Sequence, residues 1–270
     1  MDDRPIGVFD SGLGGLTTVR ELCRLLPEED IVYFGDTGRV PYGSRSRETI
    51  VKYARQDVAF LRTFDLKTIV IACGTVSTTA LDVLAAENPI PVLGVVAPAA
   101  RAAARATRSG SIGLIGTQAS IRSGAYERLI RAENPAARVL AQPCPLFVPL
   151  VENGRFRPGD VVIETVAAEY LAPLKEAGVD TLVLGCTHYP LLEKVIGAYM
   201  GPEVRLINSG AEGARAAADC LRERDALAGP ERGSCRCFVS DRQEDFSRLA
   251  STFLGWDVAQ AVEQVDISQY

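Results

Sequence analysis

The stretch TLVLGCTH, at residues 181–188, decides the fold because it has a counterpart earlier in the chain. The counterpart is TIVIACGT, at residues 68–75, and each stretch is an apolar run that ends in a cysteine, Cys186 or Cys73. Apolar runs rich in Val and Ile are typical of strands that are buried on both faces of a parallel sheet. We therefore expect each cysteine to lie just beyond the carboxyl end of a buried strand.

A second pair of similar stretches is separated by a similar length of chain. IGVFDSGLGG begins at Ile6 and IGLIGTQASI begins at Ile112, and each leads from an apolar run into a small polar loop. Amphipathic, helix-like segments alternate with the apolar runs, which is typical of parallel sheets covered by helices. The sequence therefore predicts the α/β class, with two pseudo-symmetric α/β domains and mainly parallel sheets. Ligands of such sheets bind beyond the carboxyl ends of the strands, so we expect the active site in the cleft between the domains.

Composition excludes several classes of function. The chain has 270 residues, a formal net charge of -5 and no basic block, which argues against binding to nucleic acid. No apolar run approaches the roughly 18 residues of a membrane span, so we expect no membrane partner. The acidic start, MDDRPIGVFD, enters a strand at once and does not resemble a signal peptide, which favours the cytoplasm.

No metal or cofactor is predicted. The seven cysteines are an odd number, which argues against a disulfide framework, and the CRC stretch at 235–237 lacks partners for a four-ligand zinc site. The glycines of residues 12–14 imitate a dinucleotide fingerprint, but Thr17 stands where its third glycine belongs. The four lysines lie outside the strand-end loops, so none indicates a Schiff base.

Two cysteines at equivalent strand ends indicate acid–base chemistry. A cysteine just before a helix is close to the positive end of the helix dipole, which can lower its pKa below the usual value of about 8.5 and make it a usable base. If Cys73 and Cys186 face each other across a cleft, one thiolate can remove a proton from carbon and the opposite thiol can deliver one. The expected result is inversion of configuration at that carbon.

Three further features lie near these strand ends. His188, the single histidine, follows Cys186 by two residues, and we expect it to tune that thiol or shuttle its proton near neutral pH; the alternative is a structural core histidine. Asp10 is expected to orient or deprotonate Cys73, with an ordinary helix cap as the alternative. The VPYGS loop, at residues 40–44, can close over the cleft or form a simple turn.

Four stretches, FDSGLGG, YFGDTGRVPYG, IACGTVS and LVLGCTHYPLL, resemble the glutamate racemases of the cofactor-independent aspartate/glutamate racemase superfamily. The resemblance implies interconversion of L- and D-glutamate without a cofactor, and D-glutamate is a building block of peptidoglycan. It also implies a discontinuous first domain, residues 1–97 plus 209–270, and an inserted second domain, residues 98–208. Glutamate is then the expected small-molecule partner, and a homodimer is left open.

The resemblance also implies roles for individual residues. Cys73 and Cys186 are the two catalytic bases, Asp10 assists the first, and His188 together with Glu152 assists the second. Substrate binding is implied for residues of the strand-end loops, namely Asp10, Ser11, Pro41, Tyr42, Gly43, Gly74, Thr75, Thr117, Thr187 and His188.

One residue departs from the family pattern. The family usually has asparagine after the first cysteine, whereas this chain has Gly74, which supplies no side-chain amide to the substrate. From the sequence we expect Gly74→Asn to tighten substrate binding or to leave it unchanged. Two alternative functions remain open: a racemase acting on aspartate or another small acidic amino acid, and a non-catalytic amino-acid-binding relative.

Overall fold

A computed structural model describes residues 1–256 and 262–270, and within them ten strands form two sheets. The first sheet contains Ile6–Asp10 (β1), Ile31–Gly35 (β2), Thr68–Ile71 (β3), Val92–Gly94 (β4), Cys235–Val239 (β9) and Val262–Gln264 (β10). The second sheet contains Ser111–Gly116 (β5), Arg138–Pro143 (β6), Thr181–Leu184 (β7) and Arg205–Asn208 (β8). All neighbouring strands are parallel, which confirms the predicted fold class.

The two sheets share one strand order. The first runs β10-β9-β2-β1-β3-β4 and the second runs β6-β5-β7-β8, so β2-β1-β3-β4 and β6-β5-β7-β8 correspond strand for strand. The registers agree as well, because Ile6 pairs with Thr68 and Ile112 pairs with Thr181. The repeat recognised in the sequence is therefore a repeat of topology. The second sheet interrupts the first along the chain, as the predicted domain division requires, although its exact boundaries stay a prediction.

Twelve helices alternate with these strands in the described part of the chain. Four of them begin with a side-chain cap that accepts a backbone N–H, namely Ser46, Thr117, Asp160 and Asn208. In chain order, α1 to α12 are Leu16–Leu25, Arg47–Leu61, Gly74–Thr79, Leu81–Glu87, Val96–Ala106, Gln118–Arg122, Ala125–Glu133, Phe147–Glu152, Val161–Glu176, Glu193–Met200, Ser209–Glu223 and Gln243–Leu254. Short 3-10 turns cover Tyr42–Ser44, Tyr189–Leu192 and Ile267–Gln269.

Helix α11 follows the last strand of the second sheet and packs on α1 of the first. Its inward face consists of small residues, Ala214, Ala217 and Ala218, which are buried in the same core cluster as Leu16 and Val19 of α1. Small side chains let the two helices approach closely, so the chain returns from the second sheet along the first. None of the helices in the described ranges is long and apolar enough to cross a membrane.

The topology defines where a ligand can bind. In each sheet the chain first moves to one side, from β1 to β2 or from β5 to β6, and then crosses to the other side. The crevice at such a reversal, beyond the carboxyl ends of the strands, is the usual ligand site of open parallel sheets. The residues that follow β1 and β3, and those that follow β5 and β7, are therefore the ones brought to the two crevices.

Candidate active site

A cavity of about 420 Å³ lies between the strand-end loops of the two sheets. Nearly all of the site residues predicted from the sequence line it: Ser11, Pro41, Tyr42, Gly43, Cys73, Gly74, Thr75, Thr117, Glu152, Cys186, Thr187 and His188. Asp10 is the exception, because it does not belong to the cavity wall. Both cysteines lie two residues beyond their strands, β3 and β7, so equivalent strand ends bring both thiols to one cavity.

Cys73 occupies the N-terminal cap position of α3. Its Sγ lies 3.3 Å from the Oγ of Ser11, because β1 and β3 are hydrogen-bonded neighbours whose loops meet. We predicted that a helix dipole lowers the pKa of this thiol, and that prediction is wrong. Helix α3 has only six residues, and burial together with the negative charge of Asp10 raises the pKa of Cys73 to about 12. The neutral thiol is therefore the resting form of Cys73 at neutral pH.

Asp10 lies behind the cavity wall at the end of β1. It is almost fully buried, and its Oδ2 accepts a hydrogen bond of 3.0 Å from the backbone N–H of Gly12. Its Oδ1 has no hydrogen-bond partner within the described part of the chain. Burial raises the pKa of this carboxyl group, while the charge of His188 acts in the opposite direction. Asp10 therefore reaches the site through its charge on Cys73, and its direct contact with substrate stays a prediction.

Cys186, His188 and Glu152 form a hydrogen-bonded row. The Nδ1 of His188 lies 3.9 Å from the Sγ of Cys186, and its Nε2 lies 3.0 Å from the Oε1 of Glu152. Glu152 is the last residue of α8, which places its carboxylate beside the loop that follows β7. The structure thus brings together the three residues that the resemblance groups around the second base.

The charge of His188 differs from what the sequence predicted. Burial opposes a positive charge on the imidazole, yet the hydrogen bonds to Cys186 and Glu152 outweigh it and raise the pKa of His188 to about 10. The expectation of a group that titrates near neutrality is therefore wrong. At neutral pH His188 is an imidazolium, and it can stabilise negative charge on the Cys186 sulfur or on a bound carboxylate.

Tyr42 lines the cavity, but its hydroxyl group is used elsewhere. It donates to the carboxylate of Asp36 and lies 3.1 Å from Oδ2 of Asp57. Arg39 joins both carboxylates, over 2.6 Å to Asp36 and 2.7 Å to Asp57. This network anchors the VPYGS loop as one wall of the cavity, so any substrate contact of Tyr42 must come from its backbone or ring.

Hydroxyl groups join the loops of the two sheets across the cavity. The Oγ1 atoms of Thr75 and Thr117 lie 3.1 Å apart, and Thr117 also caps α6 by accepting from the backbone N–H of Ser120. A second hydrogen bond between the two halves joins α1 to the loop after β7, where the Thr17 hydroxyl donates to the carbonyl oxygen of Thr187 over 2.9 Å. These hydrogen bonds hold the two halves together in a closed arrangement.

Sequence analysis missed the apolar part of the cavity wall. Pro145, Val148 and Pro149 line the cavity beside Glu152, and Val40 of the VPYGS loop adds to the apolar surface. A local signal for this wall exists in residues 147–152, because in a helix the residues three and four positions before Glu152 lie on its face.

The donor set gives no sign of a metal site. Within residues 1–256 and 262–270, no group of three or more His, Cys, Asp and Glu side chains is placed to hold a metal ion. What the cavity does offer is two sulfur atoms with different neighbours, a carboxylate behind Cys73 and an imidazolium beside Cys186. Such groups can exchange protons with a bound ligand.

Comparisons with known proteins agree with this geometry. The chain is 49% identical over 256 residues to a curated glutamate racemase of Geobacter metallireducens, an alignment that covers 94% of each protein. Its fold matches the crystal structure of glutamate racemase isoform RacE1 from Bacillus anthracis with a TM-score of 0.93, at 38% identity and 98% coverage of both chains. It also matches a Francisella tularensis glutamate racemase in complex with D-glutamate, with a TM-score of 0.92, at 37% identity and full coverage of both chains.

The sequence model of one family, described as Asp/Glu/Hydantoin racemase, matches residues 9–217, which include both cysteines, Asp10, Glu152 and His188. That span is well over half of the chain and carries the whole second sheet. We conclude that this chain belongs to the Asp/Glu/Hydantoin racemase family.

Proposed function

We propose that this protein interconverts L- and D-glutamate, with Cys73 and Cys186 as opposed acid–base groups. The observation that supports this proposal most is that both thiols line one cavity from equivalent ends of two corresponding strands. The glutamate racemases to which the chain is similar, one of them solved with D-glutamate, support the choice of substrate.

In the proposed reaction, the thiolate of one cysteine removes the α-proton of glutamate and becomes a thiol. The thiol of the other cysteine gives its proton to the opposite face of the same carbon and becomes a thiolate. The substrate is inverted, the two sulfurs exchange their protonation states, and no electron leaves or enters the site. Exchange of protons with solvent then restores the starting state.

The residues around each sulfur differ in how they serve these steps. The Ser11 hydroxyl, 3.3 Å from the Cys73 sulfur, can donate a hydrogen bond to it when it carries charge. The His188 imidazolium does the same for Cys186, and Glu152 keeps His188 charged and oriented. Because a thiolate is a weak base compared with the carbanion that forms when the α-proton leaves, the reaction depends on short sulfur-to-carbon distances of about 3–3.5 Å.

A chiral assay in heavy water, with no cofactor added, tests the proposal. Starting from pure L-glutamate, early D-glutamate should carry deuterium at the α-carbon, because the donor thiol exchanges with solvent, while unreacted L-glutamate should carry little. Cys73→Ser and Cys186→Ser should each abolish racemisation, whereas Cys220→Ser, at a partly buried cysteine outside the cavity, should not. A Cys73 or Cys186 variant that keeps near-native racemisation would refute the two-base mechanism.

The chiral assay with a second substrate, together with a binding measurement, separates the two alternative functions. Turnover of L-aspartate in preference to L-glutamate would assign a different acidic substrate, and calorimetric binding without turnover would indicate a binding protein. The further proposal that the product supplies peptidoglycan synthesis is tested by expressing the gene in a bacterium that requires D-glutamate for growth. The cytoplasmic location and the homodimer remain predictions.

A further inference from the structure

Gly74 lies where the two cysteine-bearing loops come closest. It is the first residue of α3, directly after Cys73, and it is buried against the second half of the molecule. A Cβ atom placed on Gly74 would lie 2.7 Å from the carbonyl oxygen of Gly185, the residue directly before Cys186. The backbones next to the two cysteines are therefore in direct contact.

This contact cannot be relieved by rotating a side chain. The atom that a Cβ would meet is a backbone oxygen at the end of β7, and Gly185 itself is confined, because its own Cβ would lie 2.7 Å from the carbonyl oxygen of Ile115. The Gly185 backbone N–H also donates to that Ile115 oxygen over 2.8 Å. Any side chain at position 74 therefore requires the backbone of one cysteine loop or the other to shift, which widens the gap between the two loops.

Other close approaches surround this one. A Cβ on Gly43 would lie 3.2 Å from the Cβ of Thr117, and the hydrogen bond between Thr75 and Thr117 crosses the same contact. The cavity is thus closed on this side by backbone and small side chains. The width of the cavity near the two sulfurs is therefore determined by the distance between the backbone at position 74 and the backbone at Gly185.

We propose that Gly74 is a positioning residue, whose missing side chain sets the separation of the Cys73 and Cys186 loops in the closed site. This proposal rests on the proposed racemase function for its kinetic consequence, since each sulfur must approach the same carbon. It reverses our expectation from the sequence that asparagine at position 74 would tighten binding or be neutral. An asparagine brings its amide only together with a Cβ that meets the Gly185 oxygen.

The test compares Gly74→Ala, which adds one methyl group and no polar atom, with Gly74→Asn and with Gly197→Ala as the matched control. Gly197 also lies in a helix, neither glycine has a positive φ, and a Cβ at 197 would have its nearest neighbour at 3.7 Å, which is ordinary contact. We expect Gly74→Ala to lower kcat for glutamate about tenfold to a hundredfold, with KM changing less than about threefold, because displacement of reacting groups by up to 1 Å costs up to about a hundredfold. Gly74→Asn should be no more active than Gly74→Ala, and Gly197→Ala should stay within about twofold of the parent.

Hydrogen exchange measured by mass spectrometry supplies a readout that does not need activity. Peptides covering residues 182–192 should exchange at least about threefold faster in Gly74→Ala than in the parent, and Gly197→Ala should leave them unchanged. A parent protein that does not racemise glutamate would refute the proposed function and leave the exchange experiment as the test of Gly74. Three results would overturn the positioning role: unchanged exchange in Gly74→Ala, a Gly74→Asn variant with higher kcat/KM than the parent, or a Gly74→Ala chain that does not fold.

Discussion

His188 and Glu152 form a partly buried hydrogen bond of 3.0 Å between Nε2 and Oε1, on the side of the imidazole that faces away from Cys186. The carboxylate is about one third exposed, whereas the imidazole is nearly enclosed. The pair therefore holds a positive charge beside a sulfur inside the cavity. Since His188 is the single histidine, its behaviour can be measured without interference.

We predict that His188 titrates well above neutrality and that Glu152→Gln lowers its pKa. The parent imidazole should stay protonated through pH 8, in keeping with a pKa of about 10, and the variant should titrate at least about one unit lower because the carboxylate no longer stabilises the cation. The imidazole signals of NMR spectra recorded from pH 6 to 11 report this directly. An unshifted titration in Glu152→Gln would mean that Glu152 does not control the charge.

We also predict how His188 affects stability. Its pKa is raised on folding, from about 6.5 to about 10, so its contribution is fully present below about pH 6.5 and is lost as the pH rises toward 10. Within this window the free energy of unfolding should fall by up to about 1.4 kcal/mol per pH unit through this group. Urea unfolding of the parent and of Glu152→Gln at pH 7, 8 and 9 isolates the effect, since the variant should show a smaller fall.

Cys73 should resist alkylation despite its place in the cavity wall. Because burial and Asp10 raise its pKa to about 12, little thiolate is present at pH 8, and iodoacetamide should modify it at least about tenfold more slowly than in the urea-unfolded chain. Peptide mapping by mass spectrometry gives the rate at Cys73 alone. Equal rates in the folded and unfolded chains would show that the carboxylate and burial do not hold the thiol neutral.

Tyr42→Phe should loosen one wall of the cavity. The change removes the hydroxyl that lies between Asp36 and Asp57, which leaves Asp57 to Arg39 and Asp36 to Arg39 and Ser240, at a cost of about 1–3 kcal/mol in unfolding free energy. Urea unfolding gives the cost, and a rise in KM for glutamate would place the damage at the cavity. Tyr53→Phe is the control, because the Tyr53 ring lies 4.2 Å from the Arg39 guanidinium carbon and stays in place. Equal loss in both variants would contradict a specific role for the Tyr42 hydroxyl.

The fold was largely predictable because its signals are local and repeated. Buried parallel strands are continuous apolar runs, and the two cysteine-ending runs marked equivalent strands before any contact was known. The raised pKa of Cys73 was not predictable from the spacing of residues along the chain. A helix follows Cys73 as expected, yet the pKa of the Cys73 thiol depends on burial and on the charge of Asp10, which lies at the end of a different strand.

Long-range contacts account for the other misses. Asp36 and Asp57 meet the Tyr42 hydroxyl only in the folded chain, so the resemblance could imply substrate binding by Tyr42 without indicating that its hydroxyl is already hydrogen-bonded. The proposed role of Gly74 rests on the clash between a Cβ at position 74 and the carbonyl oxygen of Gly185, which is more than a hundred residues away in the chain. No local pattern at Gly74 indicates that contact.

Cys73 and Cys186 lie at equivalent strand ends but have different charged neighbours, and this difference has a kinetic consequence. Enantiomers have equal free energies in an achiral solvent, so the Haldane relationship requires the same kcat/KM for L-to-D and D-to-L conversion. A carboxylate behind Cys73 and an imidazolium beside Cys186 therefore cannot make such a catalyst directional. They can only divide that common ratio differently between kcat and KM, so that one enantiomer saturates the site at lower concentration and turns over more slowly than its mirror image.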